Sequence, residues 1–259
     1  MANKKYSLIG VPLDCGKIAN GCLMGPDAYR TAGIVEMIDA LGHEVEDFGN
    51  ICPEKSFKNK KNFSKIYKLE ENIAWIKKIS AIAQDKVLNS IPVFMGGDHA
   101  LSSGSVSGIS AFAKRANRPL FVLWLDAHPD FHTLKSSLSG NLHGTPVAYF
   151  TGQLGFEKFP HLEAPIPYEN ILMLGLRSVD SFEKHTLQEL SISTIDMRYI
   201  DEFGIKDPLG KFLAHVKDVN GMLHVSLDVD FLDPIIAPAV GTTVPGGATI
   251  REAHLVMEM

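Results

Sequence analysis

The chain has 259 residues, 45% hydrophobic and 21% charged, with a net charge of −5. That length fits one large α/β domain spanning 1–259, and an acidic balance without a basic stripe argues against nucleic acid or an anionic membrane as partner. Tyr6–Gly10 is too short an apolar run for a signal peptide, no apolar stretch reaches the about 18 residues of a membrane span, and Cys15, Cys22 and Cys52 lack a zinc spacing. Reduced thiols in a cytoplasmic protein are the expectation, with a Cys15–Cys22 pair as the alternative.

Strands and helices alternate along the chain. Lys5–Gly10 reads as a strand, and Gly25-Pro26-Asp27 opens a helix whose apolar residues Ile34, Met37, Ile38 and Leu41 run to Gly42. Glu44–Phe48 fits a second strand, and the basic segment Lys55–Lys61 a surface loop. Lys65–Leu88 has helical spacing at Ile66, Leu69, Ile73, Ile76, Ile79 and Ala83. Ile91–Met95 and Leu120–Leu125 are buried-type strands flanking a helix over Ser102–Ala116. A polar loop, Phe131–Pro146, and an irregular stretch, Ala148–Pro167, follow. Then come a strand at Ile171–Leu174, a helix near Phe182–Leu190, a strand near Ser193–Asp196, a helix near Pro208–Asp218 and a strand at Met222–Leu227. Thr249, with Glu252 three residues on, fits the cap of a last helix. That helix stops without a C-cap, so the chain reads as cut before its natural end.

Continuous apolar strands separated by helices imply a parallel sheet covered on both faces, and such sheets gather ligands beyond their carboxyl ends. Three segments sit there: Gly96-Gly97-Asp98-His99, Asp126-Ala127-His128-Pro129-Asp130 and Asp228-Val229-Asp230. In extended backbone the spacing of two puts Asp126, His128 and Asp130 on one side, and Asp228 and Asp230 likewise. Taken alone, each Asp reads as a turn former and each His as a core residue. Together they bring four carboxylates and two imidazoles to one place. Carboxylates so crowded repel one another unless divalent cations neutralise them. Oxygen-rich ligation with imidazole suits manganese, with zinc the weaker candidate.

These motifs, with Ser226-Leu-Asp-Val-Asp-Phe-Leu-Asp-Pro234, resemble the three metal motifs of the ureohydrolases, the family of arginases, agmatinases and formimidoylglutamases. Ser139–Pro146, Gly175–Asp180 and Gly241–Gly247 resemble the arginase versions of their loops. The resemblance implies a three-layer α/β/α sandwich with an eight-stranded parallel sheet, two Mn2+ ions, and hydrolysis of L-arginine to L-ornithine and urea by a metal-bridging hydroxide. One metal would take His99, Asp126, Asp130 and Asp228, the other Asp126, His128, Asp228 and Asp230. Asp130 would protonate the departing amine, and His143 matches the proton-handling histidine. Ser139 and Asn141 would read the substrate carboxylate, Asp180 and Glu183 its ammonium, and Thr242 would lie near the guanidinium. Plainer readings make Ser139-Gly140-Asn141 a turn and Asp180 a helix cap; Asp98 and Asp233 read as turn residues or supports of ligands.

His132 stands where many arginases carry Asn, which leaves its substrate contact open. The resemblance also places a guanidinium-gripping Glu and the last part of the sheet beyond Met259. Family members imply a homo-oligomer, a trimer or hexamer. The alternatives are an amidinohydrolase acting on agmatine or another guanidino compound, and a catalytically incompetent scaffold chain. Mononuclear deacetylase chemistry is disfavoured by the second ligand set.

Overall fold

A computed structural model describes residues 3–19, 21–54 and 65–259; the loop expected at Lys55–Lys61 lies outside them. Seven strands are present among the described residues, all paired in parallel. They are β1 (Lys5–Val11), β2 (Glu44–Asn50), β3 (Ile91–Gly96), β4 (Leu120–Leu125), β5 (Ile171–Leu176), β6 (Ser193–Asp196) and β7 (Met222–Leu227). Hydrogen bonding joins them in two sets, β2-β1-β3 and β6-β5-β4-β7. The described residues supply seven strands of the eight-stranded sheet that the resemblance implies. Its parallel sense, and so the α/β class, is as expected.

Helices cover both faces. β4 shows why: each of its residues is buried, and alternate side chains enter different cores. Leu120, Val122 and Trp124 pack among side chains of α3 (Leu69–Lys86) and α4 (Ser102–Arg115). Leu123 and Leu125 pack on the opposite face with Ile200, Leu209 and Val256. Those three come from α7 (Met197–Phe203), α8 (Lys206–Asp218) and α9 (Ile250–Glu258). A third core joins Ile9 and Val11 of β1 to Trp75 and Ile79 of α3.

Several boundaries differ from the sequence expectation, each for a local reason. The single helix expected up to Gly42 is two, α1 (Gly25–Thr31) and α2 (Ile34–Ala40), because Gly33 turns left-handed at φ 84° between them. Lys68, also left-handed at φ 41°, delays α3 to Leu69. A short helix, α5 (Pro146–Phe150), runs from the end of the expected polar loop into the stretch read as irregular, with Pro146 in its first turn. α6 (Ser181–Glu189) falls where expected, capped by Asp180, whereas α7 was not expected; it follows Asp196, whose carboxylate caps the Tyr199 amide at 2.7 Å. At α9 the full capping box expected of Thr249 and Glu252 is formed. All three cysteines are free.

Candidate metal centre

The carboxyl ends of β3, β4 and β7 carry the three motifs, as the strand reading required. Their local backbone is not extended, which corrects the alternation argument. After β4 the chain bends at once: Asp126 Oδ1 accepts the His128 amide at 2.7 Å, closing an Asx turn. After β7, Asp228 Oδ1 accepts the Asp230 amide at 3.0 Å and opens a 3₁₀ turn over Val229–Phe231. His99 begins a similar turn capped by Asp98. The D-x-H and D-x-D spacings therefore act by letting the first carboxylate hold the backbone of the second ligand. Asp130 is held at φ 49°, a costly conformation for a residue with a side chain, and such strain concentrates at functional sites.

Asp126 is the centre of the arrangement and is 1% exposed. Its Oδ2 lies 2.9 Å from His99 Nδ1 and its Oδ1 3.4 Å from His128 Nδ1. Around His99 Nδ1 stand Asp130 Oδ2 at 3.2 Å and Asp228 Oδ2 at 3.3 Å. Around His128 Nδ1 stands Asp230 Oδ2 at 3.1 Å. Two metal-competent groups result, His99–Asp126–Asp130 and Asp126–His128–Asp230, sharing Asp126. Asp228 Oδ2 stands on the His99 side, while its Oδ1 holds the amide of Asp230 in the other group.

The electrostatics fit cations. His99 Nδ1 and Asp126 Oδ2 are buried without a directed hydrogen bond. When His99 Nε2 donates to Ser226 Oγ at 2.9 Å, the Nδ1 lone pair points at three carboxylates. That arrangement is repulsive unless a positive charge lies between. Metal-free, the cluster answers by taking up protons. Burial and then the Asp126 charge push Asp130 up to about 8; burial, with Asp228 and Asp126, raises Asp230 to about 6. Burial opposes charging the two histidines, but their carboxylates outweigh it, lifting His99 well above its ordinary value and His128 to about 11. Asp126, despite the burial that opposes ionisation, is held below the usual carboxylate range by the two histidines. An imidazole-and-carboxylate set of this kind suits manganese or zinc.

The other candidates surround this core. His143 is kept neutral down to about 4, by burial and by Lys17. Ser139 Oγ accepts the Asn141 amide at 3.2 Å, and Asn141 Oδ1 accepts the Ile18 amide at 3.1 Å. The turn reading is therefore met, and among the described residues neither the Ser139 hydroxyl nor the Asn141 NH2 donates a hydrogen bond. Asp180 is likewise a helix cap, bonded to the Glu183 amide at 2.9 Å, and pairs with His132 Nε2 at 2.9 Å. Buried Glu183 accepts the Phe131 amide at 3.1 Å. Thr242 is exposed on the 241–247 loop. Asp98 pins Gly16 and Ala100, and Asp233 caps Ile235, Gly246 and Gly247, the turn roles expected of both.

Three supporting residues were not among the sequence candidates. Trp124 stacks beneath His99, with ring centroids 4.2 Å apart and an interplanar angle of 13°. Ser226 lies in a quoted motif, and its spacing of two from Asp228 was the available signal. Lys17 is 6% exposed, and a Cβ on Gly241 would sit 2.3 Å from its Nζ. No sequence signal marks it, since burial of a lysine is invisible before folding.

A profile described as the arginase family matches residues 4–259. The chain belongs to the arginase family. It is accordingly a hydrolase of the arginase type. Arginase from Brucella melitensis is 54% identical over 253 residues, covering 97% of this chain and 83% of that protein. Arginase from Agrobacterium fabrum is 50% identical over 257 residues, covering 99% of this chain and 79% of its own length. Among solved structures, arginase from Bacillus caldovelox superposes with a TM-score of 0.89 at 36% identity, over 98% of this chain and 85% of that one.

Proposed function

We propose that the chain hydrolyses L-arginine to L-ornithine and urea with two Mn2+ ions held by His99, Asp126, His128, Asp130, Asp228 and Asp230. The observation that carries this reading is the pair of His–carboxylate groups sharing Asp126 in a chain half identical to named arginases. When bound, a pair of divalent cations supplies Lewis acidity and a water-derived nucleophile at neutral pH.

The protein's own groups do the rest. Asp130, whose buried carboxyl already favours the protonated form beside Asp126, holds a proton for the departing amine. His143 stays neutral, so its imidazole accepts and passes a proton without first losing one. The free donors of Ser139 and Asn141 bind the substrate carboxylate. Asp180 Oδ2, Glu183 Oε2 and His132 Nε2 converge on a small volume suited to its ammonium. Thr242 meets the guanidinium side from its loop. The reading extends to a cytoplasmic homo-oligomer, trimeric or hexameric, as a light-scattering mass would test.

Substrate choice is the discriminating experiment. Urea and ornithine released in equal amounts from arginine by the manganese-loaded chain, with none from agmatine, is the expected result. Urea from agmatine alone would instead assign an agmatinase. Two bound manganese ions with no urea from any guanidino compound would assign a scaffold.

A further inference from the structure

Outside the two groups that share Asp126, a third set of side chains converges. His132 Nε2 lies 2.9 Å from Asp180 Oδ2 and 3.8 Å from Glu183 Oε2. Each side chain is tethered through its other polar atom. His132 Nδ1 sits 3.2 Å from Ser136 Oγ. Asp180 Oδ1 accepts the Glu183 amide at 2.9 Å, and Glu183 Oε1 accepts the Phe131 amide at 3.1 Å. The remaining atoms, Nε2, Oδ2 and Oε2, face one another. Phe182 stacks on the His132 ring at 5.6 Å and 12°, which limits its rotation.

This is how ligating groups are prepared. An imidazole that donates its other N–H has its tautomer and ring orientation fixed, with the free lone pair aimed at the ligand. Glu183 is 6% exposed, and its Oε2 pairs with His132 Nε2 at 3.8 Å. The spacing also fits. Tetrahedral zinc bonds of about 2.0–2.2 Å place ligand atoms about 3.3–3.6 Å apart. The observed separations of 2.9 and 3.8 Å bracket that range.

We propose that His132, Asp180 and Glu183 form a third divalent-cation site, of the one-imidazole, two-carboxylate kind that takes zinc, separate from the pair around Asp126. The same three atoms are the ammonium seat of the proposed function. A cation there excludes the substrate by occupancy and by charge, making zinc an inhibitor competitive with arginine. That consequence rests on the arginine reading; the binding of zinc does not.

The test is a metal count on the full chain. Manganese-loaded protein is equilibrated with excess zinc, freed of unbound metal, and analysed for both elements. Wild type is expected to hold one more divalent ion per chain than either His132→Gln or Glu183→Gln, with its manganese retained. Asp180→Asn, which keeps the helix cap, is expected to match the other two variants and guards against loss through misfolding. Equal metal content in wild type and all three variants would overturn the site, as would zinc that merely replaces manganese. In the wild type, zinc is further expected to raise KM for arginine with kcat unchanged. A chain that binds the extra zinc but releases no urea without it would refute the arginine reading and leave the site standing.

Discussion

At the residue scale, the centre depends on who holds the ligands as much as on the ligands. His99 is fixed by Trp124 beneath it and by Ser226 at its far nitrogen. Partners of this kind typically contribute 10–100-fold to metal affinity. Ser226→Ala is therefore expected to weaken manganese binding by about 10–100-fold. Competition against a chelator measures this, and an unchanged constant would remove Ser226 from the account.

Protons report on the same groups. In the metal-free cluster His99 and His128 are pushed upward and so are protonated at neutral pH, and Asp130, at about 8, is largely protonated too. Ligation needs His without that proton and Asp ionised, so loading must expel protons. Because the metal-free form binds more protons, affinity rises as pH rises. Manganese affinity should increase between pH 6 and 8.5, with proton release detectable in weakly buffered calorimetry. A flat profile would mean that the groups are already deprotonated before metal arrives.

At the element scale, the strand ends must approach closely for the clusters to meet. Gly175, at the end of β5, adopts φ +97°, and a Cβ there would lie 2.4 Å from Phe231 Cδ2 and 3.3 Å from the Asp126 carbonyl. Phe231 is fully buried and belongs to the turn that carries Asp230. Gly175→Ala therefore meets both a left-handed backbone and a filled space. The expected loss is about 1–3 kcal/mol, from overpacking alone. A thermal melt tests this, and an unchanged midpoint would show that the turn yields freely. Arg177, two residues on, donates to the carbonyls of Asp230, at 2.6 Å, and Val244, at 2.8 Å, tying that turn to the 241–247 loop.

At the scale of the whole molecule, the sequence made legible what repeats locally. The all-apolar run Leu120–Leu125 marked a doubly covered parallel strand, and β4 has those bounds. The three acidic and histidine motifs were legible because each follows such a run. Less visible was anything decided by tertiary contact. The breaks at Gly33 and Lys68 turn on single positive φ angles, and α7 is too short to show a period. Strand order depends on pairing between distant segments, such as Leu120 with Met222. The convergence of His99, Asp126 and Asp230 was inferred from alternation, but it is produced by side-chain-capped turns. Alternation was thus an incomplete geometric reason for this convergence, because a spacing of two serves an Asx turn as well as a strand.

In the proposed function one carboxylate, Asp126, joins two metal sites. The manganese content of the loaded chain, measured per chain for wild type and Asp126→Ala, tests it most directly. Wild type is expected to hold two ions and the variant fewer than one, since loss of Asp126 opens both sites at once. Two ions retained by Asp126→Ala, or a single ion in the wild type, would contradict it.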